Sequence, residues 1–186
     1  MKGIFELRPS TPRYNFIWDV SIVLDFLKNF YPLEDINFNI LSYKCVMLLA
    51  LASMQRVQTL HVIDVNDVNF VNDSVMIPIK KLLKQFNARN NKLMIYLKSF
   101  DDPVICPVLT LKHYITMSQK LRGDNNQLFI SFQKPHKPVS KSTLSRWIKR
   151  VMEESGIDTT CFKAHSTRAA ASSAARSENI PIDDIL

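Results

Sequence analysis

The sequence predicts a mixed, mainly α domain that carries a small antiparallel β-ribbon. Apolar residues recur at helical spacing in several long stretches. Two short β-rich runs flank a polar, basic connection, the pattern of a hairpin with a long turn. Only 3 Gly and 9 Pro are spread over 186 residues, so no linker-rich or low-complexity segment interrupts the chain. That length suits a single domain spanning residues 1–186 and burying its own core.

The elements follow in order. "WDVSIVLDFLKNF" sets Val20, Val23, Leu24, Leu27 and Phe30 on one helical face, with Asp19 as the cap and Pro32 as the stop. "LSYKCVMLLALASM" is apolar nearly all round, which predicts a buried helix. A second short helical stretch comes after Arg56. "VNFVNDSVMIPI" and "KLMIYL" are the two β-rich runs, and "KKLLKQFNARNN" is the lysine-bearing turn between them. "CPVLTLKHYITMSQKLRG" reads as an amphipathic helix with Pro107 near its start and Gly123 after its end. A brief apolar segment, "LFISF", precedes "SKSTLSRWIKRVMEESG". There Ser142 or Thr143 caps a helix whose inner face is Leu144, Trp147, Ile148 and Val151, with Gly156 as its stop. The last full helix is alanine-rich, "HSTRAAASSAARSENI", and "PIDDIL" starts another.

Composition narrows the function classes. The cysteines, Cys45, Cys106 and Cys161, are odd in number and lack paired spacing, which points to buried, reduced thiols inside a cell and away from a disulfide framework or zinc site. The longest apolar run, "CVMLLALASM", is about half a membrane span, and the first residues lack the apolar core of a signal peptide. No membrane partner is expected. Charge is more telling, with 24 Lys+Arg against 17 Asp+Glu, a net +7. Ser74–Phe100 holds Lys80, Lys81, Lys84, Arg89, Lys92 and Lys98 and no acid. Asn125–Met152 holds Lys134, Lys137, Lys141, Arg146, Lys149 and Arg150, again with no acid. Such asymmetry points to a polyanion partner.

Two features could hold an anion at a defined place. His165 and Arg168 stand three apart at the head of the alanine-rich helix, a spacing that lets both address one object. Small side chains let that helix pack closely and hold the pair rigidly. Arg56 follows directly on the buried helix, where a guanidinium is costly unless it meets an anion or leaves the core. Converging on one phosphate, these groups and a ribbon lysine would stabilise a pentacoordinate phosphorane. Arginine suits that work because its planar fork bonds phosphate bidentately.

At these residues the chain resembles the catalytic domain of the tyrosine recombinases, the phage-integrase family. The order is that family's: "LASMQRVQTLHV", then a lysine on a β-ribbon, then "HSTR" as its His-x-x-Arg box. "RPSTPRYNFIWDV" and "KPVSKSTLSRWIKRVMEESGI" look like the DIRS-like eukaryotic retrotransposon branch. The resemblance implies the DNA breaking-rejoining catalytic fold, a duplex DNA partner and self-association on DNA. It implies a reaction with no metal and no nucleotide cofactor, in the nucleus if the host is eukaryotic. A tyrosine attacks a phosphodiester, leaving a 3′-phosphotyrosyl link and a free 5′-hydroxyl. By position, Arg56 and Arg168 would hold the scissile phosphate, His165 would donate a hydrogen bond or move a proton, and Lys84 would protonate the leaving 5′-oxygen. Lys80, Lys81, Arg89, Lys141, Arg146, Lys149 and Arg150 would contact the DNA.

The resemblance also implies departures. Tyr14, Tyr31, Tyr43, Tyr96 and Tyr114 all precede the His-x-x-Arg box, whereas the family's nucleophile follows it. The domain is therefore expected to be incomplete at its C-terminus, with Ile182, Ile185 and Leu186 opening a helix that lies beyond. A noncatalytic DNA-binding remnant of a mobile element is the alternative, and a helical protein-interaction domain with a basic surface is a third.

Overall fold

The computed structural model describes residues 16–80 and 93–177. Helices enclose a central apolar helix, with a three-stranded antiparallel sheet packed at one side. The mixed, mainly α reading holds, and so does the antiparallel ribbon within it.

Helix α1 spans Val20–Lys28 and is capped as its sequence predicts, the Asp19 carboxylate accepting from the Ser21 amide at 2.9 Å. Helix α2, Phe38–Ser53, starts earlier than its apolar run suggests, because Asn37 accepts from the Ile40 amide at 3.1 Å and opens it. From Leu41 to Leu51 every residue of α2 is buried, and α2 packs against every later long helix. Burial of that stretch supplies much of the hydrophobic driving force.

One buried residue of α2 is a lysine. Lys44 is fully buried, and its Nζ donates to the carbonyls of Phe30 at 2.6 Å and Leu27 at 3.2 Å. Those carbonyls lie at the C-terminal end of α1, where unpaired acceptors and the negative end of the helix dipole favour a cation. Burial pushes the Lys44 ammonium down to about 8, with Asp102 opposing that shift.

Helix α3, Val57–His61, is short. Strands β1 (Asn69–Val71), β2 (Ser74–Ile79) and β3 (Leu93–Lys98) follow, in sheet order β1-β2-β3. The run "VNFVNDSVMIPI", read above as one strand, is two. Asn72 takes a left-handed backbone (φ 51°), and with Asp73 it turns the chain between Val71 and Ser74. Ile77 pairs with Ile95 and Met76 with Tyr96, so Val75, Ile77, Ile79, Ile95 and Leu97 face the core. The expected turn residues Lys81, Lys84 and Arg89 lie outside the described residues, as do Tyr14, Ile182, Ile185 and Leu186.

Helix α4 is Pro107–Gln119, with Pro107 at its first turn and Gly123 past its end with a left-handed backbone (φ 52°). The "LFISF" segment runs through the core, where the Ile130 amide donates to the Tyr114 hydroxyl at 3.1 Å. Helix α5 is Lys141–Glu154, and Leu144, Trp147, Ile148 and Val151 form its buried face as the periodicity predicts. Its cap is Ser140, not Ser142 or Thr143. The Ser140 hydroxyl accepts from the Thr143 amide at 3.1 Å, which makes Ser142 and Thr143 first-turn residues. Helix α6 is Ser166–Ser177 and buries Ala170, Ala171 and Ala175. Cys45 and Cys106 are buried thiols, but Cys161 is exposed, because it stands in the turn between α5 and α6 rather than on an inward face.

Candidate functional site

The buried helix delivers Arg56 to the surface. Helix α2 closes on Met54 in a left-handed conformation (φ 52°), which swings the chain out of the core. Arg56 then sits in an extended conformation at the head of α3, its carbonyl accepting from the amides of Thr59 at 2.8 Å and Leu60 at 3.2 Å. Thr59 and Leu60 are buried, so the backbone under Arg56 is anchored while its guanidinium stays exposed. Of the two escapes open to an arginine at the end of an apolar helix, the chain uses exit from the core.

His165 and Arg168 are held just as firmly. Phe162 is buried and meets Phe16 edge-on at 5.2 Å. The Ser166 amide donates to the Lys163 carbonyl at 2.7 Å, and the Thr167 hydroxyl donates to the Ala164 carbonyl at the same distance. The Trp18 indole donates to the Ser166 hydroxyl at 2.9 Å across the core. Ser166 and Thr167 are therefore buried, and the residues on either side, His165 and Arg168, are left toward the surface. Farther along, α6 lies on α2, with Ser172 touching the Met54 sulfur at 3.7 Å.

Ser166→Ala should lower unfolding free energy by about 1–3 kcal/mol, since it strands the buried Trp18 N–H. A urea midpoint that drops without a change of m-value is the expected reading.

These elements meet at a cleft of about 740 Å³. Arg56, Arg146, Lys149, Lys163, His165 and Arg168 all line it, and the described lining residues include no Asp or Glu. Arg56, Lys163 and Arg168 form no salt bridge with any described residue, whereas Lys149 meets Glu153 at 3.0 Å. Positive charge at Arg56, Lys163 and Arg168 that no described acid pairs with, set in a concave surface, attracts anions. The planar forks of Arg56 and Arg168 suit phosphate oxygens.

Other sequence-predicted residues fall elsewhere. Lys80, at the end of β2, is paired with Asp67 and does not line the cleft. Lys141 is exposed at the start of α5, also outside it. Arg150 turns to the other side of α5, bonding Glu154 at 2.7 Å and lying over the Tyr43 ring at 5.2 Å. Lys163 belongs to the cleft but escaped notice in the sequence. Its neighbours Asp158 and Glu154 keep it out of the acid-free segments, yet its place beside His165 in "FKAHSTR" was the available signal. Among the described tyrosines, Tyr31, Tyr43, Tyr96 and Tyr114, none lines the cleft. Tyr114 is core, with burial pushing its hydroxyl up.

Residues 28–186 match the model of the phage integrase family. The fold is similar to the crystal structure of XerA recombinase, with a TM-score of 0.67 and 15% identity over 97% of this chain and 56% of that one. XerH site-specific recombinase bound to palindromic difH substrate, in a post-cleavage complex, gives a TM-score of 0.66 and 15% identity over 91% of this chain and 44% of that one. The lambda integrase catalytic core gives a TM-score of 0.50 and 16% identity over 87% of both chains. The chain thus spans about half the length of the XerA and XerH chains. No curated protein sequence matches it.

Proposed function

This chain belongs to the phage integrase family, and from that premise we propose that its cleft holds a DNA phosphodiester for strand cleavage and rejoining. The observation that carries the reading is the meeting of Arg56, His165 and Arg168, far apart in sequence, in one cleft with no acid among its described lining residues. Arg56 and Arg168 bond the non-bridging oxygens, where negative charge builds as phosphorus becomes pentacoordinate. His165 donates a hydrogen bond or moves a proton at the same centre. A tyrosine oxygen forms the new bond to phosphorus, the bond to the 5′-oxygen breaks, and Lys84 gives that oxygen its proton. The link stores the bond energy, so a second 5′-hydroxyl can reverse the step. Since none of the described tyrosines lines the cleft, the nucleophile comes from another segment or from a neighbouring protomer on the DNA.

The same reading takes in the DIRS-like retrotransposon origin and a nuclear place of action in a eukaryotic host. Lys80, Lys81, Arg89, Lys141, Arg146, Lys149 and Arg150 serve it as backbone contacts, with Lys163 added. The absence of a described tyrosine from the cleft also supports a second reading, a DNA-binding remnant that cleaves nothing.

Both readings require binding to duplex DNA through phosphates. Affinity should fall roughly 10³-fold or more between 50 and 200 mM salt if six or more contacts form, because each contact releases counterions. Affinity that stays flat across a salt titration would overturn both.

A further inference from the structure

The far side of α5 faces a second cleft, of about 590 Å³. Buried Tyr43 and Trp147 and half-buried Phe132 form its floor, and exposed Lys137, Arg146 and Arg150 form its rim. The floor is packed against itself. Phe132 and Trp147 stack at 5.3 Å, and Tyr43 meets their edges at 5.7 and 5.8 Å. What the cleft offers a visitor is therefore its cationic rim more than an open apolar slot.

Here too the described lining residues include no Asp or Glu. Lys137 is held in place by its backbone, its carbonyl accepting from the Ser131 amide at 2.8 Å beside the Ile130–Pro138 bridge. Arg150 is shared with Glu154, but both side chains of that pair are well exposed, and such pairs are worth about 0–1 kcal/mol. A phosphate can compete for that guanidinium. Arg146 lines both clefts. A polyanion seated in the first cleft therefore meets Arg146 as a cation common to both clefts on passing into the second.

We propose that the second cleft is a phosphate subsite for the DNA backbone flanking the phosphodiester in the first. Lys137 is its dedicated cation, Arg146 is shared between the two clefts, and Arg150 completes the rim. The assignment rests on the reading of the first cleft as a DNA site and extends the interface to a residue outside the predicted contacts.

The test is salt titration of a labelled duplex by fluorescence anisotropy, with the whole chain. Lys137→Ala should lower the salt slope by about 0.9, so that the wild type's advantage shrinks roughly threefold between 50 and 200 mM. Lys137→Arg should keep the wild-type slope. Lys112→Ala, at an exposed position of α4 beside a separate small cavity, should leave it unchanged. A steep wild-type slope reproduced by Lys137→Ala would overturn the subsite and leave the first cleft's reading intact. A flat wild-type curve would overturn both.

Discussion

With a nucleophilic tyrosine supplied by a neighbouring protomer, Arg168→Ala is expected to lower covalent adduct formation on a nicked suicide DNA substrate by about 10²–10³-fold. That is the usual loss when one preorganised donor to a developing oxyanion is removed. Arg56→Ala should do the same, since the two guanidiniums reach the cleft from separate elements and neither can stand in for the other. Arg168→Lys should recover little, because an ammonium cannot reproduce a bidentate fork. Both alanine variants should still bind DNA, each with a salt slope reduced by about 0.9. The 186-residue chain by itself should bind without forming an adduct, since no described tyrosine lines the cleft. If the proposed chemistry holds, adding a protomer that carries a nucleophilic tyrosine should produce the adduct. An adduct from the 186-residue chain alone would overturn the assignment of the nucleophile to another segment or protomer. DNA binding with no adduct even when that tyrosine is supplied would favour the remnant.

The second large effect lies in the core. The stability of the wild type relative to Lys44→Met should rise by about 3 kcal/mol between pH 8 and pH 10.5. Lys44 titrates at about 8 in the folded chain, against an ordinary 10.5. Between those values the unfolded chain binds the proton that the folded chain has released, so raising the pH favours folding. Below pH 8 both states are protonated and the contribution is level. Cys45 and Tyr114, whose burial raises their own values, oppose this trend in the wild type. They are common to both proteins and cancel in the comparison. Urea denaturation across that pH range measures the difference, and a flat difference would mean that Lys44 titrates alike in both states.

Much of the fold is legible because its signals are local. The Asp19 cap, Pro107 at the start of α4 and the inner face of α5 each follow from residues within a few positions of one another. Backbone geometry alone brings such residues together, so sequence spacing suffices to place them. Even the turn that divides β1 from β2 was written in Asn72 and Asp73, though the surrounding apolar run masked it.

The sequence by itself determined the mainly α class, the cap of α1, the proline start of α4, the inner face of α5, and the order of Arg56, His165 and Arg168 along the chain. Only the tertiary structure decided where side chains with distant partners go. Lys44 is acceptable in the core because the carbonyls of Leu27 and Phe30 come to it from another helix. Arg146 and Arg150 share one helix, yet Arg146 reaches the first cleft, while Arg150 turns to Tyr43, 107 positions away in sequence. Lys163 joins the cleft because buried Phe162 and Ser166 fix the turn that carries it. Each of these placements depends on which surfaces meet when helices pack, and helical periodicity carries no record of its distant partner.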